Sequence, residues 1–225
     1  MIDTKKVPTK PGMASTVILV REHDGELQVY LLKRSTRSGF FPGTYVFPGG
    51  RVETEDRTFE PWRTHVDLGS EDIFQRFGGS LTEEEALAYG VTAIRETFEE
   101  AGVLLAYRNE YTQEYLKRVQ DRRGMEELPK GWLNDLVVSE GWMLAFSKLF
   151  RWAHWITPEG MPKRYEARFF LAFIHPGQEC NPDARETTHG VWVSPEKGLE
   201  MNCLPVGEPF SRLWYNGGIW RPVGN

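Results

Sequence analysis

The segment from Thr82 to Gly102 constrains the fold more than any other, because it carries a start signal, a stop signal and two unlike faces. Thr82 followed three residues later by Glu85 is a capping box, which satisfies two of the amide donors that a helix leaves free at its start. Gly102 stands where a helix ends most readily, in a left-handed residue without a Cβ. At about 100° per residue, Leu87, Val91, Ile94 and Phe98 fall within about 60° of one another and form one apolar stripe. Glu96, Glu99 and Glu100 fall on the other side, centred about 180° away. The spacing therefore predicts a helix that needs a core along one face and something else along the other.

Around this helix the chain reads as mixed. Thr16–Val20 and Gln28–Lys33 predict two strands joined by a turn at His23-Asp24-Gly25-Glu26. A third short strand, Thr44–Phe47, runs straight into Pro48-Gly49-Gly50. Residues 51–81 read as an insertion with at most a short helix, whose apolar side would be Ile73, Phe74 and Phe77. Thr112–Arg123 and Lys130–Ser139 suggest further helices, Phe150–Ile156, Ala167–Ile174 and Gly190–Val193 strands, and Pro195–Glu200 a short helix. Residues 1–13 read as a flexible lead-in, and the last twenty as a packed, irregular tail. With 225 residues the expectation is one domain, 1–225, carrying the 51–81 insertion.

Composition excludes more than it selects. A formal charge of −5, with no basic tract, argues against broad electrostatic capture of nucleic acid. An anionic substrate would need local neutralisation by a few Lys and Arg or by bound cations. Two cysteines, Cys180 and Cys203, are too few for a disulfide scaffold or a Cys-based zinc site. The longest apolar runs are strand-sized, so no membrane partner is expected. With no secretory leader and no Ser-Lys-Leu ending, the expected compartment is the cytoplasm.

Like charges at i, i+3 and i+4 repel by a few tenths of a kcal/mol per pair on an exposed helix. Either the acidic face is fully solvated, or cations lie between the carboxylates; hard divalent ions accept such oxygens and keep waters beside substrate phosphates. Spacing alone favours the solvated face.

The run Arg95-Glu96-Thr97-Phe98-Glu99-Glu100-Ala101-Gly102-Val103 resembles the second half of the Nudix box. Gly50, with Asp56 six residues on, resembles its first half. The box usually leaves seven residues before the arginine; residues 57–94 make 38 here, so about 31 are inserted. Val29–Ser35 leading to Val46–Gly50 resembles the coenzyme A diphosphatase branch. Trp155–Pro158, Lys163–Tyr165, Arg168–Ala172, Glu186 and Trp192–Pro195 are similar to its long-insert animal peroxisomal members. The likeness spans roughly residues 14–205. Thr97 departs from the larger apolar residue the box prefers, and Asp56 from the commoner glutamate.

The resemblance implies an α+β fold, the Nudix α/β/α sandwich with a mixed β-sheet and a loop–helix–loop box. It implies a hydrolase cleaving a diphosphate bond with Mg²⁺ or Mn²⁺ held by Glu96, Glu99 and Glu100, and the Gly50 carbonyl as a further ligand. Arg95 would orient a glutamate, and Glu186 could serve as general base. Lys33, Arg34 and Arg168 are candidate phosphate contacts, and Trp155, Tyr165 and Phe169 candidate base-stacking rings, though such side chains are more often solvated cations or core. The expected partner is a nucleotide-linked small molecule, coenzyme A or acyl-CoA first. ADP-ribose, a related diphosphate, or a non-catalytic nucleotide-binding module stay open, as does a homodimer.

Overall fold

The computed structural model describes residues 10–36, 43–78, 80–108, 113–125, 128–159, 161, 163–175, 177–185, 187–201, 213–216 and 219–222. In chain order the strands are β1 (Gly12–His23), β2 (Glu26–Arg34), β3 (Tyr45–Val46), β4 (Gly49–Arg51), β5 (Ala106–Tyr107), β6 (Met143–Leu144), β7 (Phe150–Ile156), β8 (Tyr165–Phe173), β9 (Thr187–Val193), β10 (Leu213–Asn216) and β11 (Ile219–Pro222). The α-helices are α1 (Phe59–Thr64), α2 (Ser70–Phe77), α3 (Glu83–Ala101), α4 (Gln113–Met125), α5 (Trp132–Glu140) and α6 (Pro195–Glu200).

Among the described residues nine strands make one mixed sheet in the order β10-β11-β7-β8-β1-β2-β3, with β4 added to β1 and β9 to β2. Strand β1 runs parallel to β8 and antiparallel to β2 and β4. The β1–β2 hairpin turns on Asp24 and Gly25, both at positive φ (53° and 78°), the backbone that suits the twist of a tight hairpin. Along β1 the partner changes: Ala14–Thr16 pair with β4, and beyond the Val17 N–H bond to the Pro48 carbonyl (2.8 Å) the strand pairs with β2. That change of partner wedges the Gly49-Gly50 corner between β1 and α3.

Alternation puts the two faces of β1 in two cores. Val17 and Leu19 face α3 and join Leu87, Val91, Ile94 and Phe98, all at most 2% exposed. Ile18 and Val20 face the other way with Val29, and Gly198 of α6 packs there against Leu31 and Val193. Helices thus lie on both faces of the sheet, as the α+β reading expects. Each fully buried aliphatic or phenyl side chain contributes about 1.5–3 kcal/mol, so the α3 stripe is a main anchor of the fold. Among the described residues no helix is long and apolar enough to cross a membrane.

Three sequence expectations need correction. Residues 51–81 hold a 3₁₀ turn (Glu55–Arg57) and two helices, α1 and α2, rather than at most one. They pack against α3 and bury Trp62, Ile73 and Phe77, all at most 2% exposed, in the principal core. The isolated apolar residues of this stretch looked weak because two short helices share the burial that one long period would advertise. The tail, expected to be irregular, contains the β10–β11 hairpin, joined to β7. Gly12 and Met13, assigned to the lead-in, already belong to β1. Cys180 is half-buried, and burial pushes its thiol up to about 12; Cys203 lies outside the described residues.

Candidate active site at the acidic end of the long helix

Helix α3 begins and ends as its sequence predicts. Thr82 and Glu85 form the reciprocal capping box, and Gly102 adopts the left-handed conformation at φ 73°. Its C-terminal end, which carries the acids, is held unusually firmly. The carbonyl of Glu99 accepts from Arg123 Nε (3.0 Å), that of Glu100 from the Asp183 N–H (3.0 Å), that of Ala101 from the Asn181 N–H (2.8 Å) and that of Gly102 from Gln120 (3.2 Å). Groups that a helix terminus leaves without partners are thus taken up by α4 and by the 181–183 segment.

The acidic face is not solvated. Glu100 is 9% exposed, and the Glu96 and Glu99 side chains are 14% and 30% exposed. Arg95, itself buried, is the hub. Its Nε and Nη2 donate to the two oxygens of Asp56 (2.9 Å each), Nη1 to Glu96 (2.9 Å) and Glu99 (2.8 Å), and Nη2 also to the Arg51 carbonyl (3.0 Å). A guanidinium has five N–H groups, so Arg95 has none left over for a substrate. Burial alone would lower its pKa; the Asp56 bond and the charges of Glu96, Asp56 and Glu99 outweigh this and raise it. Asp56, 2% exposed, also accepts from Thr92 Oγ1 (2.8 Å) and the Glu53 N–H (2.9 Å), so its oxygens serve the architecture of the corner.

Gly50 and Glu96 meet where the corner touches the helix. A Cβ at Gly50 would run into the Glu96 carboxylate, so any side chain here would push that carboxylate out of its place. Next to it the Gly49 N–H donates to Glu100 Oε2 (2.8 Å). Glu99 Oε1 accepts from the indole N–H of Trp132 (2.6 Å). Burial pushes the Glu96 carboxyl up to about 7, Arg95 opposing and the charge of Glu99 adding; burial also raises Glu99, against the pull of Arg95 and Trp132.

These residues line a cleft of about 860 Å³, whose walls also hold Arg34, Arg51, Glu53, Glu55, Trp62, Arg123, Lys130, Trp132, Tyr165, Asp183 and Arg185. Among the described residues no group of three or more acidic, His or Cys side chains stands already arranged around an ion position. The acids are instead pinned by Arg95, Trp132 and the Gly49 amide. The donor set nevertheless fits a hard divalent cation: three carboxylates half or more buried, two of them destabilised as anions, beside a backbone with no Cβ in the way.

Of the expected phosphate contacts, Arg34 lines the cleft, and two do not. Arg168 is 4% exposed on the face that carries Phe170, over the Tyr89 ring (5.1 Å) and donating to the Phe77 carbonyl (3.3 Å), while its neighbour Ala167 lines the cleft. The period of two along a strand decides that, and it corrects the sequence reading. Lys33, next to Arg34, lies over the Tyr45 ring (5.5 Å) for the same reason. Tyr165 lines the cleft, whereas Trp155 and Phe169 pack on each other (centroids 5.6 Å apart). Glu186 lies outside the described residues. Sequence reasoning missed Trp132, Arg123, Lys130, Asp183 and Arg185, none of which stands near the box in sequence.

A family model, the NUDT19 Nudix domain, matches residues 70–203. The acyl-coenzyme A diphosphatase NUDT19 of Xenopus laevis is 28% identical over 216 residues, covering 80% of this chain and 56% of its own. The Gallus gallus protein of the same name is 29% identical over 214 residues, covering 78% and 56%. The chain therefore spans just over half the length of these curated relatives. In fold it is similar to a NUDIX hydrolase from Alicyclobacillus acidocaldarius, with a TM-score of 0.63 at 21% identity over 85% of this chain and 82% of that one. With a split box closed in space around Gly50 and Glu96, and a family model matched over more than half its length, the chain belongs to the Nudix hydrolase family, in the branch of the NUDT19 Nudix domain.

Proposed function

We propose that this protein is a divalent-metal-dependent hydrolase that cuts the diphosphate bond of a nucleotide-linked small molecule, with coenzyme A or an acyl derivative as its preferred substrate. The observation that carries the reading is that Glu96, set against Gly50, shares with Glu99 and Glu100 one cleft that also holds Arg34, Arg51, Arg123, Lys130 and Arg185. Acids alone would repel a diphosphate; acids that hold Mg²⁺ or Mn²⁺ would attract one. Such an ion polarises phosphoryl oxygens and lowers the pKa of a bound water. Glu96, Glu99 and Glu100 would hold it, with the Gly50 carbonyl as a further donor. Arg95 bridges Glu96 and Glu99 through Nη1 and orients both, and Arg34 neutralises phosphate from β2.

Glu186 is our candidate for the group that takes the proton from water; Asp183 and Arg185, close to it in sequence, line the cleft. The substrate choice draws support from the acyl-coenzyme A diphosphatases of frog and chicken. The walls formed by Trp62, Leu128, Pro129 and Leu133 also supply apolar surface for a long thioester arm.

The test is product analysis over coenzyme A, acyl-CoA, ADP-ribose, NADH and nucleotide sugars with Mg²⁺. Coenzyme A should yield 4′-phosphopantetheine and adenosine 3′,5′-bisphosphate. Glu100→Gln should lower kcat by more than about 100-fold, beyond what loss of an outer partner costs, with little change in melting temperature. Preferred cleavage of ADP-ribose would move the substrate and keep the chemistry. No cleavage with Mg²⁺ or Mn²⁺, alongside a melting temperature that a nucleotide raises, would replace the enzyme by a binding module.

A further inference from the structure

We propose that Trp132 is a positioning residue for the metal site, its indole N–H holding the Glu99 carboxylate toward the cleft; this rests on the metal reading above. The bond from Nε1 to Glu99 Oε1 is 2.6 Å long, at the short end for a charge-assisted contact. Trp132 is 5% exposed, and its ring packs on that of Phe98 with centroids 5.0 Å apart. Phe98 is fully buried, so the indole cannot swing away without opening the core. The backbone is fixed too: the Trp132 N–H donates to the Pro129 carbonyl (3.1 Å), after Gly131 at φ 77°.

The chemistry of the donor distinguishes this contact from that of Arg95. Both hold Glu99, one on each oxygen. Arg95 is a cation, and its charge competes with any ion the glutamate takes up. An indole N–H is a neutral donor that accepts nothing, so it fixes the carboxylate without repelling a cation. A carboxylate offers about four lone-pair sites, and the indole occupies one. Trp132 also lines the cleft. It thereby ties the α5 segment, 33 residues further along the chain, to Glu99 on the wall of that cleft.

A merely structural role, in which the glutamate satisfies a buried indole, gives different results in one experiment. Trp132→Phe in the full chain keeps the ring packing and removes the donor. Calorimetric titration with Mn²⁺ should show affinity falling by about 10- to 100-fold, the range seen when outer-sphere partners of metal ligands are removed. The Mg²⁺ concentration needed for half-maximal turnover should rise with it. In a Glu99→Ala background the same change should alter Mn²⁺ affinity less than about twofold, because the acceptor of the indole is already gone. In ¹H–¹⁵N spectra the indole cross-peak that Trp132→Phe abolishes should move when Mg²⁺ is added to the unmodified chain. Wild-type Mn²⁺ affinity in Trp132→Phe overturns the proposal and leaves the metal reading intact. If the variant does not fold, a full set of indole signals unmoved by saturating Mg²⁺ overturns it. Absence of binding of either ion to the unmodified chain removes both readings.

Discussion

The two faces of α3 are both covered, by opposite means. Leu87, Val91, Ile94 and Phe98 are covered by dry packing against β1 and the α1–α2 segment, where no donor is needed and shape decides the fit. Glu96, Glu99 and Glu100 are covered by Arg95, the Gly49 amide, Trp132 and a cleft. Burying charge is costly unless each oxygen finds a donor or a cation, so this face is ordered by specific bonds. One face therefore stores stability, and the other holds charge in readiness for a ligand. Mutations on the two should separate stability from activity.

The sharpest separation sets Phe98→Ala against the Glu100→Gln change described above. Phe98 is fully buried against Trp132 and below Arg123 (5.9 Å to its ring), so its truncation should cost about 3–5 kcal/mol in chemical denaturation. Turnover per folded molecule should fall as well, since the same ring backs Trp132. If Glu100→Gln unfolded the protein as readily as Phe98→Ala, the division between the faces would be wrong.

A smaller effect comes from Glu96, whose folded-state pKa is raised by burial from its ordinary 4.5 to about 7. Protonation favours the folded chain here. Its stabilising contribution is complete below about pH 4.5 and is lost as pH rises through about 7. Without divalent ions, the melting temperature of the unmodified chain should thus fall relative to Glu96→Gln across this window. Saturating Mg²⁺ at pH 8 should abolish the deficit, because the ion restores a partner for the anion. A difference that stays flat with pH would show that Glu96 is not penalised by burial.

The smallest effect belongs to the far end of the helix. Thr82→Ala removes the hydroxyl that accepts from the Glu85 N–H (3.2 Å) and should cost about 1 kcal/mol with kcat unchanged. A large loss of turnover would mean that the helix start and its acidic end are coupled.

The short-range signals in the sequence carried a long way. The capping box, Gly102, the apolar stripe and the hairpin at Asp24-Gly25 depend on residues a few positions apart, and each forms as its spacing requires. Relations between residues far apart in the chain were legible only where the Nudix pattern named them, as for Gly50 and Glu96, 46 residues apart by numbering. Arg168 and Lys33 went astray because a strand sends neighbours to opposite faces, and residue type does not say which face meets the cleft.

By itself, then, the order of residues determined the helix, its two chemistries and the family to which they belong, because helix periodicity and capping are local. Only the tertiary structure decided that the acidic face is enclosed, that Arg95 is fully engaged by Asp56, Glu96 and Glu99, and that Trp132 reaches Glu99. Those facts follow from packing the corner around Gly50 to Asp56, α4, α5 and the 181–183 segment against one helix end. Packing of that kind depends on shape and on donors left over once the core has formed, and no spacing along the chain encodes it.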